Sequence, residues 1–384
     1  MTVSTLADSG NERAQRLHRT RAIMEAHGLD ALVLVSPENI YYLAGLNHYG
    51  YFAPTFLLVA RTGRMQIIAR SMERPTIDAQ AVNCEHLFYD DGEDSSELLA
   101  RALNALNPSR IGIEESSMYL PVQVWVATST YLHGVATMDC SNLVFEQRAV
   151  KSPFEIDLIR SAGAMSDRAL SAGIEVSARG VSEREVARTI YGELIDAGSD
   201  VPAFPPMIRT SENIPQEHMT WRSDRVLRDG DRVFIELGGS SARYHAPTSR
   251  IFYVGDKPHG VDASARAVLA GFDAICESLR PGAKASYVYE RWHGAISREI
   301  GHSDYHRHHC GYLTGIGFPP TWCGTTPVGL RRKSSLIIEE GMVFHAMSWL
   351  IGQRTPDYGI SDTVVITQSG CDVVTTVPRM PMVV

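Results

Sequence analysis

No run of about 18 uninterrupted apolar residues occurs in the sequence, so nothing in it reads as a membrane span. There is no block of like charge either, and the formal net charge of -8 over 384 residues is mildly acidic. That excludes the broad attraction to phosphate on which nucleic-acid binding depends. The six cysteines (Cys84, Cys140, Cys276, Cys310, Cys323, Cys371) are scattered with no CxxC pair, which argues against a zinc knuckle or a disulfide framework. The opening residues, MTVSTLADSGNE, are polar and lack the apolar stretch of a secretion signal. Internal repeats and low-complexity linkers are missing. The expectation is a soluble cytoplasmic protein with reduced thiols, acting on a small molecule rather than on nucleic acid or membrane.

What is present fits two domains, because the chain is long for a single core. A helical stretch runs into Gly28, followed by a β-rich apolar run at 31–35. Residues 56–60 and 65–69 read as strands joined by a glycine-containing turn, and 110–114 as another strand after a helix near 98–106. The boundary lies near 150, giving expected domains 1–150 and 151–384. Ser152, Pro153 and Glu155 form a helix start, with Phe154, Leu158, Ala162, Met165 and Ala169 following at helical spacing. Ser182 and Glu185 repeat the pattern before Val186, Ile190 and Leu194, and Gly198 closes that helix. A third helix carries Val268, Phe272, Ile275 and Leu279, and a fourth begins after Ser286. Strand-like segments at 233–237, 251–254, 342–350 and 363–367 lie between and after them. The pattern predicts an α+β layer, with helices over a curved antiparallel sheet.

Four blocks carry a resemblance: GDRVFIELG at 230–238, GYLTGIG at 311–317, EGMVF at 340–344 and SDTVVIT at 361–367. In this order and spacing the chain resembles the M24 family of methionine aminopeptidase, prolidase and creatinase, from about residue 16 to near the C-terminus. The resemblance implies a pita-bread C-terminal domain preceded by a smaller α/β creatinase-type N-terminal domain. It also implies a homodimer, in which the N-terminal domain of one subunit closes over the other's site.

The metallopeptidases of that family hold two divalent ions through Asp, Asp, His, Glu and Glu. Matched onto this sequence, those positions hold Glu236, Pro247, Tyr312, Met347 and Ser361. Proline offers no side-chain ligand, and methionine is too soft for the hard divalent ions. The expectation is therefore no metal and no other cofactor. Within the family, the RYHAPTSR stretch at 243–250, Gly311-Tyr312 and the Phe318-to-Trp322 segment look most like the ectoine-hydrolase group, with creatinase the other metal-free comparison. Thr321 and Gly324 depart from that group's pattern, so the substrate need not be ectoine.

His218 matches the histidine that serves the family as proton shuttle, and imidazole titrates near neutrality. The competing role is a loop histidine bonded to a carbonyl. Glu236 ends an apolar strand, where a carboxylate is paired or shifts its pKa. A general base or nucleophile is made that way, and a structural ion pair with Arg250 or Arg243 is the alternative. Tyr312 stands at the ligand histidine and can supply a phenolic proton. His345 shares a strand face with Met347 through period two. These four are the expected catalytic residues. His245, Arg250, Trp322, Met347, Asp362 and Tyr51 are the expected substrate-binding residues, although Tyr244/His245 and Ser361/Asp362 each alternate, so one of each pair turns away. Tyr49, Tyr51 and Phe52 are candidates for the closing surface. The tract His302, His306, His308, His309 has no acidic partners in register and reads as a solvated loop. The expected function is metal-independent hydrolysis of a carbon–nitrogen bond in a small polar cyclic or amidine-bearing compound. The alternatives are a non-catalytic pita-bread binding module, a cyclase or lyase using the same acid–base pair, and an Xaa-Pro metallopeptidase.

Overall fold

The structure is a computed structural model that describes residues 10–324, 328–352 and 355–384. The chain divides into two compact units, with the break between Arg148 and Ala149.

In the first unit the described helices are α1 (Gly10–Ala26), α2 (Pro37–Ala44), α3 (Arg74–Gln80), α4 (Ser95–Ala105), α5 (Val122–Thr130) and α6 (Leu143–Ala149), the last running one residue past the break. The strands are β1 (Ala31–Leu34), β2 (Phe56–Ala60), β3 (Met65–Arg70), β4 (Cys84–Tyr89), β5 (Arg110–Ile113) and β6 (Ala136–Asp139), in the sheet order β4-β3-β2-β1-β5-β6. The sheet is mixed: β1 pairs antiparallel with β2 and parallel with β5. Ala31, Val33, Leu58, Ile68 and Ile111 bury one face under Leu99 and Leu103 of α4, an apolar core of the kind that dominates folding free energy.

In the second unit the helices are α7 (Pro153–Val176), α8 (Glu183–Asp196), α9 (Val261–Ser278) and α10 (Ala285–Ile300). Both expected helix starts, at Ser152 and Ser182, are full capping boxes. The strands are β7 (Met207–Thr210), β8 (Arg232–Ser241), β9 (Tyr244–Tyr253), β10 (Gly311–Leu313), β11 (Val343–Leu350), β12 (Tyr358–Thr367) and β13 (Gly370–Val373). They form an antiparallel sheet in the order β10-β11-β12-β9-β8-β7, with β13 added on β12. The strand β9 begins at Tyr244, earlier than the apolar pattern suggests, because Ser241 pairs with Tyr244 across a two-residue turn. Ala242 and Arg243 both take positive φ there, as the tight hairpin requires.

Alternation along β8 separates two environments. Val233, Ile235 and Leu237 pack with Leu170, Ile174 and Ile190 of α7 and α8. Phe234 and Glu236 consequently face the other side of the sheet. At Gly239 the helix comes so close that a Cβ would sit 2.6 Å from the Ala162 carbonyl oxygen, so only glycine fits.

Candidate active site

Cross-strand register collects one set of side chains on the face that the helices leave uncovered. Glu236 of β8 pairs with Ser249 of β9, Ser249 with Ser361 of β12, and Ser361 with Met347 of β11. His345, two residues before Met347, pairs with Tyr312 of β10. Directly paired residues share a face. Period two thus brings Glu236, Tyr312, His345, Met347 and Ser361 together, and adds Ser249, which sequence reasoning did not single out.

Hydrogen bonds link most of them in a directed chain. The Trp322 indole Nε1–H can only donate, and it donates to the Tyr312 hydroxyl oxygen at 2.9 Å. Tyr312 then donates to Nδ1 of His345 at 3.0 Å. His345 carries its proton on Nε2 and gives it to Ser361 Oγ at 2.7 Å, and Ser361 meets Ser249 Oγ at 2.7 Å. Burial pushes the His345 pKa down to about 3, so this imidazole is neutral and works as a relay rather than as a cation. The same desolvation drives the Tyr312 phenol far above its ordinary value, so its proton stays, committed to His345. Both residues share this sheet face, but neither is a free acid there.

Glu236 is different. It is 4 % exposed and accepts no hydrogen bond from the described residues. Desolvation raises its pKa to about 7, against the pull of Arg209 and Arg307. A carboxylate poised near neutrality is what base or nucleophilic chemistry requires.

The remaining expected residues separate. His218 is on the exposed loop after β7 at φ +61, its ring 6.0 Å from that of Phe204, which is 5.3 Å from Trp322. His245 lies on the cavity face, yet both ring nitrogens are taken by backbone: Nδ1 donates to the Arg243 carbonyl at 2.9 Å and Nε2 accepts from Ala203 N–H at 2.9 Å. It is a structural histidine, neutral, with its pKa lowered by burial to about 4.

Arg250 and Asp362 correct the expectation outright. They point to the helix-covered side, fully buried, and pair with each other at 2.8 Å. Arg250 also donates to the carbonyls of Pro378 and Ser361, and Arg379 reaches Asp362 at 2.6 Å. The alternation makes this inevitable once Ser249 and Ser361 face the cavity, so Arg250 is neither a substrate ligand nor the partner of Glu236. Tyr51 belongs to the first unit, where its hydroxyl donates to the Leu46 carbonyl and its ring packs edge-on to His48. Tyr49 and Phe52 beside it are exposed. Within the histidine tract, His302, His306 and His308 are exposed as expected. His309 is not: it turns inward, its ring 5.5 Å from that of Tyr312, and burial lowers its pKa to about 3.

The donor set does not fit a pair of divalent cations. Glu236 is the one carboxylate, and the hydroxyls and imidazole beside it are engaged with one another. Among the described residues no three His, Cys, Asp or Glu side chains converge as ligands.

With this geometry in hand, comparison with known proteins is direct. Residues 157–368 match metallopeptidase family M24, and residues 16–150 match the creatinase/prolidase N-terminal domain. The ectoine hydrolase of Halomonas elongata is 28 % identical, with 96 % of each chain covered. The Xaa-Pro dipeptidase of Pyrococcus furiosus is 24 % identical over 95 % of this chain and 99 % of its own. Among solved structures, a prolidase from Thermococcus sibiricus superposes with a TM-score of 0.86 at 22 % identity, covering 97 % of this chain and 99 % of that one. An Xaa-Pro dipeptidase from Bacillus anthracis gives 0.83 at 19 %, covering 97 % and 100 %. The two-domain α+β fold expected from the sequence motifs is the fold observed, with the second unit's antiparallel sheet curled as in the prolidases.

Proposed function

The chain belongs to metallopeptidase family M24, and from that membership and its altered donor set we propose a metal-independent hydrolase of a carbon–nitrogen bond in a small polar cyclic or amidine-bearing compound. The observation that carries this reading is Glu236: a buried carboxylate with a pKa of about 7, at a position where the family's metal ligands would stand. In its ionised form it attacks the electrophilic carbon or takes a proton from water that does so. The neutral chain Tyr312–His345–Ser361 holds the wall beside it in one protonation state. His218, on the loop at the mouth, returns a proton to the leaving nitrogen. An oxygen lone pair forms the new C–O bond as the π pair of the electrophilic carbon moves onto its heteroatom. That pair then reforms the double bond while the C–N pair leaves onto nitrogen, which takes the proton from His218, and one water is consumed.

The likeness to an ectoine hydrolase over almost the whole chain supports a non-peptide substrate. The prolidase-like fold supports the rival, a dipeptidase, but that reaction as the family performs it relies on ligands that Pro247, Met347 and Ser361 do not supply. A homodimer remains part of the proposal, to be read by sedimentation.

The test is incubation of chelator-treated protein with ectoine and with creatine, followed by mass spectrometry for the gain of one water. Turnover that survives the chelator and drops at least ~10²-fold in Glu236→Gln supports the reading. Turnover that appears only on adding Mn²⁺ or Co²⁺, or that survives Glu236→Gln, would falsify it.

A further inference from the structure

Beside Glu236 the same sheet face carries a second constellation, unforeseen from the sequence. Arg209 of β7 pairs with Phe234 of β8, and its guanidinium lies 4.1 Å from the Phe234 ring centroid. Phe234 meets Trp349 of β11 edge-on at 5.2 Å, and Arg307 lies 4.2 Å over the Trp349 ring. Two guanidiniums thus stack on two touching aromatic rings. Consecutive residues of one loop hold them: Arg209 Nη1 donates to the Gln216 carbonyl at 2.9 Å, and Arg307 Nη1 to Glu217 Oε1 at 3.1 Å.

Each cation has donors to spare. Nε of Arg209, Nε of Arg307 and Nε1 of Trp349 are all buried without a hydrogen-bond partner among the described residues. Arg209 is 2 % exposed, and unsatisfied buried N–H groups of this kind cost about 1–3 kcal/mol each. All three are donors, and the unsatisfied acceptor on the same face is the carboxylate of Glu236, the reacting group. Two carboxylates face the two cations: Glu217, the partner of Arg307, which is 43 % exposed, and the buried Glu236. Burial lowers the Arg209 pKa, Glu236 and Glu217 pull it up, and the proximity of Arg307 lowers it again.

We infer that Arg209, Arg307 and Trp349 form an anion subsite that takes the carboxylate of the substrate, so that the compound hydrolysed is a small acid. This rests on Glu236 being the reacting group. A planar carboxylate matches the fork of a guanidinium, and the rings beneath keep both forks in plane. Phe234 and Glu236 are two residues apart on one strand face, about 7 Å at the usual rise. That spacing sets the substrate's length: carboxylate at one end, scissile carbon a few bonds away. Longer peptides with a distant C-terminus do not bridge it.

The rival role is positioning, in which the arginines merely hold the loop that carries His218. Calorimetric titration separates the two. The probes are three acids, each beside its uncharged amide: ectoine and its carboxamide, creatine and creatinamide, proline and prolinamide. Wild-type protein and the non-reacting Glu236→Gln are expected to bind at least one acid tenfold or more tightly than its amide. In Arg307→Gln, and in Arg209→Gln where it folds, that preference falls below threefold. Arg307 keeps 13 % of its side chain exposed against 2 % for Arg209, so its variant is the milder one and keeps the test alive if the Arg209 variant unfolds. No acid preferred over its amide in any pair overturns the subsite, as does a preference unchanged in folded Arg307→Gln with kcat alone reduced. Preference intact with turnover independent of Glu236 overturns the catalytic reading and leaves the subsite standing.

Discussion

Oε1 of Glu236 lies 3.8 Å from Nε2 of His345, and the two do not form an ion pair. Burial holds the imidazole neutral and keeps the carboxyl protonated up to about pH 7. A second buried carboxylate shows what satisfaction looks like. Glu114, in the first unit, accepts from the backbone N–H of Ser36 at 2.7 Å and from the N–H of Val35 and the amide of Asn39. Glu114 anchors the entry to α2 with its donors in place, whereas Glu236 has none among the described residues. The difference supports the proposal that Glu236 is the reacting group.

A pH signature follows. With Glu236 acting in its ionised form, kcat/KM should rise with pH through an apparent value near 7. The stability effect runs the other way. The folded pKa lies above the unfolded 4.5, so this contribution is complete below pH 4.5 and is lost as pH rises through 7. A shift of that size corresponds to about 3 kcal/mol. Glu236→Gln should gain Tm relative to wild type between pH 5 and 8, and a constant difference across that range counts against the buried carboxylate.

Tyr312→Phe removes one oxygen and strands two partners, Trp322 Nε1 and His345 Nδ1. Each orphaned group costs about 1–3 kcal/mol. At roughly 2–4 °C per kcal/mol for a unit of this size, a Tm loss of about 5 °C or more is expected by differential scanning calorimetry. An unchanged Tm would mean that the relay is not formed in solution.

The cavity face was readable because strand period and motif spacing are local. Once Glu236 and Ser361 take the ligand positions, alternation brings in His345 and Met347 and turns Asp362 away. The same parity assigns Arg250 to the far side, and weighing its charge above its register led to the wrong role. His245 has the right parity, but the group that occupies its Nε2 is Ala203 N–H, 42 residues upstream, and no local pattern announces that. Arg209 and Arg307 were missed for the same reason. One sits on a four-residue strand and the other on a loop, and tertiary stacking alone brings them together.

Arg250→Met tests the reassignment. Deleting one member of a fully buried pair leaves Asp362 short of a counter-charge and typically costs about 3–5 kcal/mol. Arg379 stays on the other carboxylate oxygen and holds the loss to the lower part of that range. Urea denaturation should show the drop while KM of the folded variant stays within twofold. A raised KM at unchanged stability would return Arg250 to substrate contact.

The neutral histidines predict how acid attacks the fold. His245 can gain a proton only by giving up the bond in which its Nε2 accepts from Ala203, so its folded pKa, about 4, lies below the unfolded 6.5. For a base with a depressed folded pKa, the stabilisation is present above pH 6.5 and is lost as pH falls through the folded value. Glutamine at this position offers an oxygen to the same N–H without a titrating ring. His245→Gln should therefore be less stable than wild type at pH 7.5, from imperfect packing, and its Tm deficit should shrink as pH falls to 4.5. A deficit that stays constant or widens would show that His245 binds its proton as readily in the folded chain as in the unfolded one, and the backbone capture of both ring nitrogens would not describe the protein in solution.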